Sequence, residues 1–256
     1  MRRMTLGRAI ALIGVLCGLG LYAPGSSAAQ SAAVAAVTLP ATIPIFPLQD
    51  VVLFPNSNAG LHIFEPRYRA MVADALEGDS IIGMIMLQPG YEAEYEGRPP
   101  IYAVGCAGVI IAVQELPDGR YNLVLDGLVK FRVLSEDASR AYRLAEVEAL
   151  PEALEASDLP LLAERRRQLE RTLLSLSPGR QLPPSDLSDE EAIDLLSQIL
   201  PLEPAHRQEL LEADGPVERA VRLIRRLRGG DPRAALRLSG AGGVDAAVTP
   251  GDLPVN

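Results

Sequence analysis

Two β-forming runs meet at Pro117-Asp118-Gly119-Arg120, and no other feature restricts the fold of this chain as much. "IYAVGCAGVIIAVQEL" (101–116) precedes the tetrapeptide and "YNLVLDG" follows it, both rich in apolar and β-branched residues. Asp-Gly is hairpin-turn chemistry, because Gly119 takes a positive φ at no steric cost. The first run is long for a strand and needs a bend near Gly105 or Gly108. Further strand segments surround the hairpin: "IPIF", "VVLF" and "SIIGMIML" (80–87) before it, "VKFRVLS" and "YRLAEVEAL" after it. One helix interrupts them. Pro66 suits a first helical turn, Tyr68, Met71, Val72, Ala75 and Leu76 fall at helical spacing, and Gly78 stops the run.

After Pro151 the periodicity changes. Leu162, Leu169, Leu173 and Leu176 mark one face of a helix over 158–176, and Ser188 with Glu191 forms a capping-box signature for the next. Helices over 203–213 and 215–228 complete a small bundle. The expected architecture is therefore α+β: a flexible leader (30–42), a β-rich lobe (43–150), a helical lobe (151–228) and a disordered, glycine- and proline-rich tail (229–256).

The first residues follow another logic. A basic start, an uncharged apolar run of 14 residues (9–22) and the small residues before Gln30 have the three parts of a secretory signal peptide. The run is short for a membrane span. Cleavage near Ala29 and a periplasmic or secreted destination are expected, with an N-terminal membrane anchor as the alternative. Loss of residues 1–29 removes Arg2, Arg3 and Arg8 and no acid, taking the net charge from −9 to −12. Such a charge disfavours nucleic acid as a partner. It would leave Cys106 as the sole cysteine, which rules out an intramolecular disulfide, and its apolar setting marks it as a buried small hydrophobe.

Candidate chemistry concentrates in "LHIFEPRYRAMV" (61–72). His62 and Glu65 admit two readings, an acid–base or metal-binding pair and a structural set at a strand-to-helix junction. A zinc-protease helix needs H-E-x-x-H, and the other histidine of the chain is the distant His206. The structural reading is preferred: Glu65 capping the helix, His62 bonding the backbone, Phe64 acting as a hydrophobic staple. The single lysine, Lys130, lies in a strand pattern where a solvated or snorkelling side chain is expected. No phosphate-binding loop, nucleophile elbow or calcium-loop spacing is present, so no catalytic residue, metal or cofactor is expected. Of two basic clusters, Arg165–Arg167 is interleaved with Glu164 and Glu170 as on a salt-bridged helix face. Arg222–Arg228 ends a helix and forms either a dipole complement or a local anion patch.

Taken in order, "IPIFPLQDVVLFPN", "LHIFEPRYRAMVADAL", "IYAVGCAGVI", "DGRYNLVLDGLVKFRV" and "YRLAEVEALPE" resemble the N-terminal substrate-binding domain of Lon proteases, and "RQELLEADGPVERAVRLI" resembles its helical end. Phe46, Pro47, Leu48, Phe54, Pro55, His62, Phe64, Glu65, Arg67 and Tyr68 fall on that pattern and mostly define the fold. The resemblance implies a small, partly closed PUA-like β-barrel carrying one helix, followed by a helical bundle. It also implies a stand-alone module without the ATPase and serine–lysine protease domains, for which a peptidase S16 label would describe ancestry and not chemistry. The segment "NSNAG" after "LFP" departs from the pattern and is expected to alter an exposed loop.

The function expected from this reading is non-catalytic binding of unfolded or extended polypeptide, with Tyr91 and Tyr95 as contact residues or as side chains folded back on the barrel. An adaptor for one specific protein, such as a protease, is the alternative, and an unrecognised hydrolase a more distant one.

Overall fold

The computed structural model describes residues 38–91, 94–95 and 97–229. The expected signal segment, most of the leader and the tail beyond Gly229 lie outside these residues. Six strands form one sheet: β1 (Thr42–Leu48), β2 (Asn58–Ile63), β3 (Ile81–Met86), β4 (Val104–Glu115), β5 (Tyr121–Asp137) and β6 (Arg143–Leu150). β1 pairs in parallel with β3 and antiparallel with β6, while β3–β4, β4–β5 and β5–β6 are all antiparallel. These pairings close a five-stranded ring, a small barrel, and β2 adds to the first half of β5 outside it. A parallel β1–β3 pair requires a crossover, which β2 and helix α1 (Pro66–Glu77) provide.

The hairpin forms as its turn chemistry demands, with Gly119 at φ 78°. β4 bends through two irregularities, one of them between Ala107 and Gly108. "YNLVLDG" and "VKFRVLS" are not two strands but one, the 17-residue β5. Gly127 explains the continuity, since it lets the strand pass so close to the Phe54 carbonyl that a Cβ would collide with it. The first half of β5 serves β2 and the second half serves β6, so one strand carries both parts of the sheet. "VVLF" makes no strand. It is irregular chain that buries Val52, Leu53 and Phe54, and the Phe54 N–H donates to the Gln198 side chain at 3.1 Å. "NSNAG" is not an exposed loop either, because Ser57 is buried and Asn58 begins β2.

Ile43, Ile45, Ile85, Ala107, Phe131 and Ala145 fill the barrel. Phe131 reaches across to Gly105, where a Cβ would lie 2.7 Å from its ring. The end of the expected leader belongs to this structure: Leu39 packs on the barrel core and the Ala41 carbonyl accepts from the Val147 N–H at 2.9 Å. A larger core lies between the sheet and the helices α2 (Leu159–Leu176), α3 (Asp189–Ile199), α4 (Pro204–Leu211) and α5 (Gly215–Arg228). Tyr68, Met71, Val72 and Ala75 of α1 enter it, whereas Leu76 falls at the edge of that stripe and stays 38% exposed. The α3 capping box is complete, Glu191 N–H to Ser188 Oγ at 3.2 Å and Ser188 N–H to the Glu191 carboxylate at 2.7 Å.

Candidate functional site

β2 delivers "LHIFEPRY" to the start of α1, and the structure separates its two catalytic candidates. His62 Nδ1 bonds the Asn122 side chain at 2.7 Å and Nε2 meets Arg120 at 3.1 Å, so side chains of β5 and the hairpin, not the backbone, hold it. Glu65 occupies the N-cap position without a side-chain cap, because its carboxylate is committed elsewhere. It accepts from Arg67 Nε at 3.0 Å and from the Tyr95 hydroxyl at 2.8 Å. The Arg67 guanidinium lies between two rings, 4.6 Å from the Tyr68 centroid and 5.0 Å from that of Tyr95. Burial, with the bond to Glu65, pushes the Tyr95 phenol pKa upward, so it stays a donor. Phe64 staples nothing: it is 60% exposed and stacks on His62 at 6.1 Å.

Tyr95 thereby pins the β3–β4 connection to α1, while Tyr91 is exposed. Arg143, buried on β6, secures the same connection by donating to the Pro99 carbonyl at 2.7 Å. This segment borders a cleft of about 260 Å³ where the barrel meets α4. Met86, Leu87, Pro89 and Tyr102 form one wall, Pro204 and Ala205 the other, with Gln49, Gln88 and Glu203 at hand for polar contacts. An apolar slot with a few amide and carboxylate groups suits an extended peptide.

A buried charged network lies elsewhere in the domain. Lys130 is not solvated; its side chain is 8% exposed and its ammonium bonds Glu152 and the Ala213 carbonyl, each at 2.7 Å. Glu152 also binds Arg219 at 2.7 Å, and Arg219 pairs with Asp194, which accepts from Asn56 at 3.0 Å. Burial opposes the Arg219 charge, but Asp194 and Glu152 prevail and raise its pKa above the usual value. The members come from the β1–β2 connection, β5, the segment after β6, α3 and α5, so the network ties barrel to helices.

The model of the ATP-dependent protease La (LON) substrate-binding domain matches residues 42–229, the same span as barrel plus bundle. The chain belongs to this family. It is similar to Lon protease of Anaeromyxobacter dehalogenans (28% identity, 73% of this chain and 21% of the relative) and to Lon protease 2 of Syntrophobacter fumaroxidans (30%, 68% and 22%). The chain thus spans about a fifth of the length of these curated relatives. Among solved structures, a Lon N-terminal domain protein from Xanthomonas campestris aligns with TM-score 0.50 at 27% identity, over 72% of this chain and 96% of that one. The N-terminal domain of a Mycobacterium avium complex Lon protease aligns with TM-score 0.53 at 19% identity, over 74% and 99%, a likeness of fold.

Within this Lon domain the motif residues divide by place. Phe46, Pro47, Phe54, Pro55 and Tyr68 are buried, Leu48 is half-buried, and Phe46 packs on Tyr68 with centroids 4.4 Å apart. Cys106 is fully buried, and that burial pushes its thiol pKa well up. Arg167 pairs with Glu164 at 3.0 Å on the exposed face of α2, but Arg166 turns inward and donates to the Leu187 carbonyl at 2.7 Å. Among the described residues no helix is long and apolar enough to cross a membrane, and no group of three or more metal-ligating side chains is gathered. Sequence reasoning missed the buried network, although two signals were present: Asp194 and Arg219 are charged residues on the mainly apolar buried stripes of α3 and α5.

Proposed function

We propose that this chain is a non-catalytic module that captures extended polypeptide outside the cytoplasm. One observation carries the reading: a substrate-binding domain of the Lon family holds an apolar cleft open between its barrel and α4, beside the exposed Tyr91. An extended segment seats alternate apolar side chains against Met86, Leu87 and Tyr102 while Gln49 and Gln88 serve its backbone. Tyr91 adds a contact at the rim, and Tyr95 fixes the connection that presents it. The three-part character of residues 1–29 supports export.

The test is fluorescence anisotropy of a labelled, permanently unfolded protein titrated with the chain starting at Gln30. Saturable binding without cleavage is the expected outcome, and no binding up to high micromolar concentration refutes the reading. Export is tested by fractionating cells that express the full chain and sequencing the N-terminus of the exported product. A second reading, an adaptor for one folded partner such as a protease, draws on Phe64, which stands 60% exposed at the surface. It predicts a partner whose binding Phe64→Ala abolishes and unfolded protein does not compete.

A further inference from the structure

The second basic cluster is not explained by the cleft described above. We infer that the groove between α2 and α5 is a separate binding site for acidic peptide segments that also carry aliphatic side chains. This extends the polypeptide-binding reading to another face and rests on it for the class of ligand. The groove encloses about 480 Å³, with Val221 and Ile224 as its apolar floor and Arg165, Arg225 and Arg228 around it. Among the described residues no carboxylate lines it.

Its arginines differ from their neighbours. Arg222 pairs with Glu218 at 3.0 Å and Arg226 with Glu209 at 2.9 Å, whereas Arg225 and Arg228 are exposed and form no ion pair with another described residue. Arg165 bonds only Gln168 among the described residues, at 3.0 Å, and its Nε is buried without a partner. Arg225 and Arg228 complement the negative end of α5. That does not account for Arg165, which sits in the middle of α2 and borders the same groove. Guanidinium groups bind carboxylates in a bidentate fork, and the floor between them rewards an aliphatic side chain. The chain as a whole carries −9, which opposes any polyanion at a distance, so the selection is local. Among the described residues the groove offers aliphatic side chains and no aromatic ring for base stacking, which favours a short acidic peptide over nucleic acid.

The experiment titrates the full chain into fluorescein-labelled Glu-Glu-Leu-Glu-Glu-Val-Glu, its all-glutamine counterpart, and a single-stranded oligonucleotide of equal charge. The acidic peptide is expected to bind about tenfold more tightly than the glutamine version, and less tightly as salt rises. Arg225→Gln/Arg228→Gln should remove that preference with only the small fall in Tm expected from losing two charges at a helix end, while binding of the unfolded-protein probe persists. Equal binding of both peptides, unchanged binding by the double variant, or tighter binding of the oligonucleotide would each overturn the inference. Loss of the unfolded-protein probe alone would count against the apolar cleft and not against this groove.

Discussion

Arg219 of α5 and Asp194 of α3 form an ion pair in which neither side chain keeps any solvent-exposed surface. Each has a second partner, Glu152 for Arg219 and Asn56 for Asp194, so both charges are compensated within the protein. Such a pair adds little over a well-packed apolar one, but losing one member leaves a buried charge stranded. Arg219→Met should therefore destabilise the fold by about 3–5 kcal/mol in urea denaturation. Arg219→Met combined with Asp194→Asn should cost less than the two single changes added together. Additive losses would show that the two residues act independently.

Glu190, one turn before Asp194 on α3, gives the junction a pH dependence. Burial, together with the negative charges of Asp194 and Glu152, pushes its carboxyl up to about 7 from an ordinary 4.5. The folded state then holds a proton that the unfolded state has released, so stability falls as pH rises from about 4.5 to about 7. The N-terminal end of α3 favours the charged form and moderates the effect. Glu190→Gln should raise Tm at pH 8 and leave it near wild type at pH 4.5, as read by calorimetry across that range. A constant difference at every pH would exclude this origin.

The two tyrosines of the β3–β4 connection should separate by readout. Tyr95→Phe deletes the hydroxyl that donates to Glu65 and should cost roughly 0.5–1.5 kcal/mol of stability. Tyr91→Ala removes an exposed ring and should change stability by no more than about 0.5 kcal/mol. Affinity for unfolded polypeptide should nonetheless fall about fivefold or more, the scale of truncating an interface aromatic. Thermal melts and anisotropy titrations of the same samples decide the matter. A Tyr91→Ala protein with normal affinity removes Tyr91 from the site.

Elements that rest on local chemistry were legible in the sequence. The Asp118-Gly119 turn, the Ser188–Glu191 box and the helix beginning at Pro66 each depend on residues within one turn of one another. The failures have a common cause in tertiary burial. A strand pattern gave Lys130 the expectation of a solvated or snorkelling side chain, but the Ala213 carbonyl and Glu152 bury its ammonium. Glu65 had the position of a cap, but Arg67 and a tyrosine 30 residues away took its carboxylate. "VVLF" had strand composition, yet its backbone is satisfied in part by Gln198, 144 residues on. Neither the apolar cleft nor the basic groove can be read locally, since each is walled by elements brought together only by folding.

Cys106 offers a reporter of barrel opening. Its thiol is fully buried in β4, bonds only weakly to the Ala107 carbonyl at 3.6 Å, and is held protonated by its surroundings. The thiolate is the reactive form, so the native protein should resist alkylation at this site at pH 8. Labelling by iodoacetamide, followed at the Cys106 peptide by mass spectrometry, should be slow in buffer and complete within minutes in concentrated urea. Because the residue lies against both the barrel and the larger core, its labelling rate at intermediate urea should track global unfolding. Arg219→Met should accelerate it by about tenfold for each ~1.4 kcal/mol of stability lost. Rapid labelling of the wild-type protein in buffer would mean that the barrel opens without the helices and that the buried network does not hold the two together.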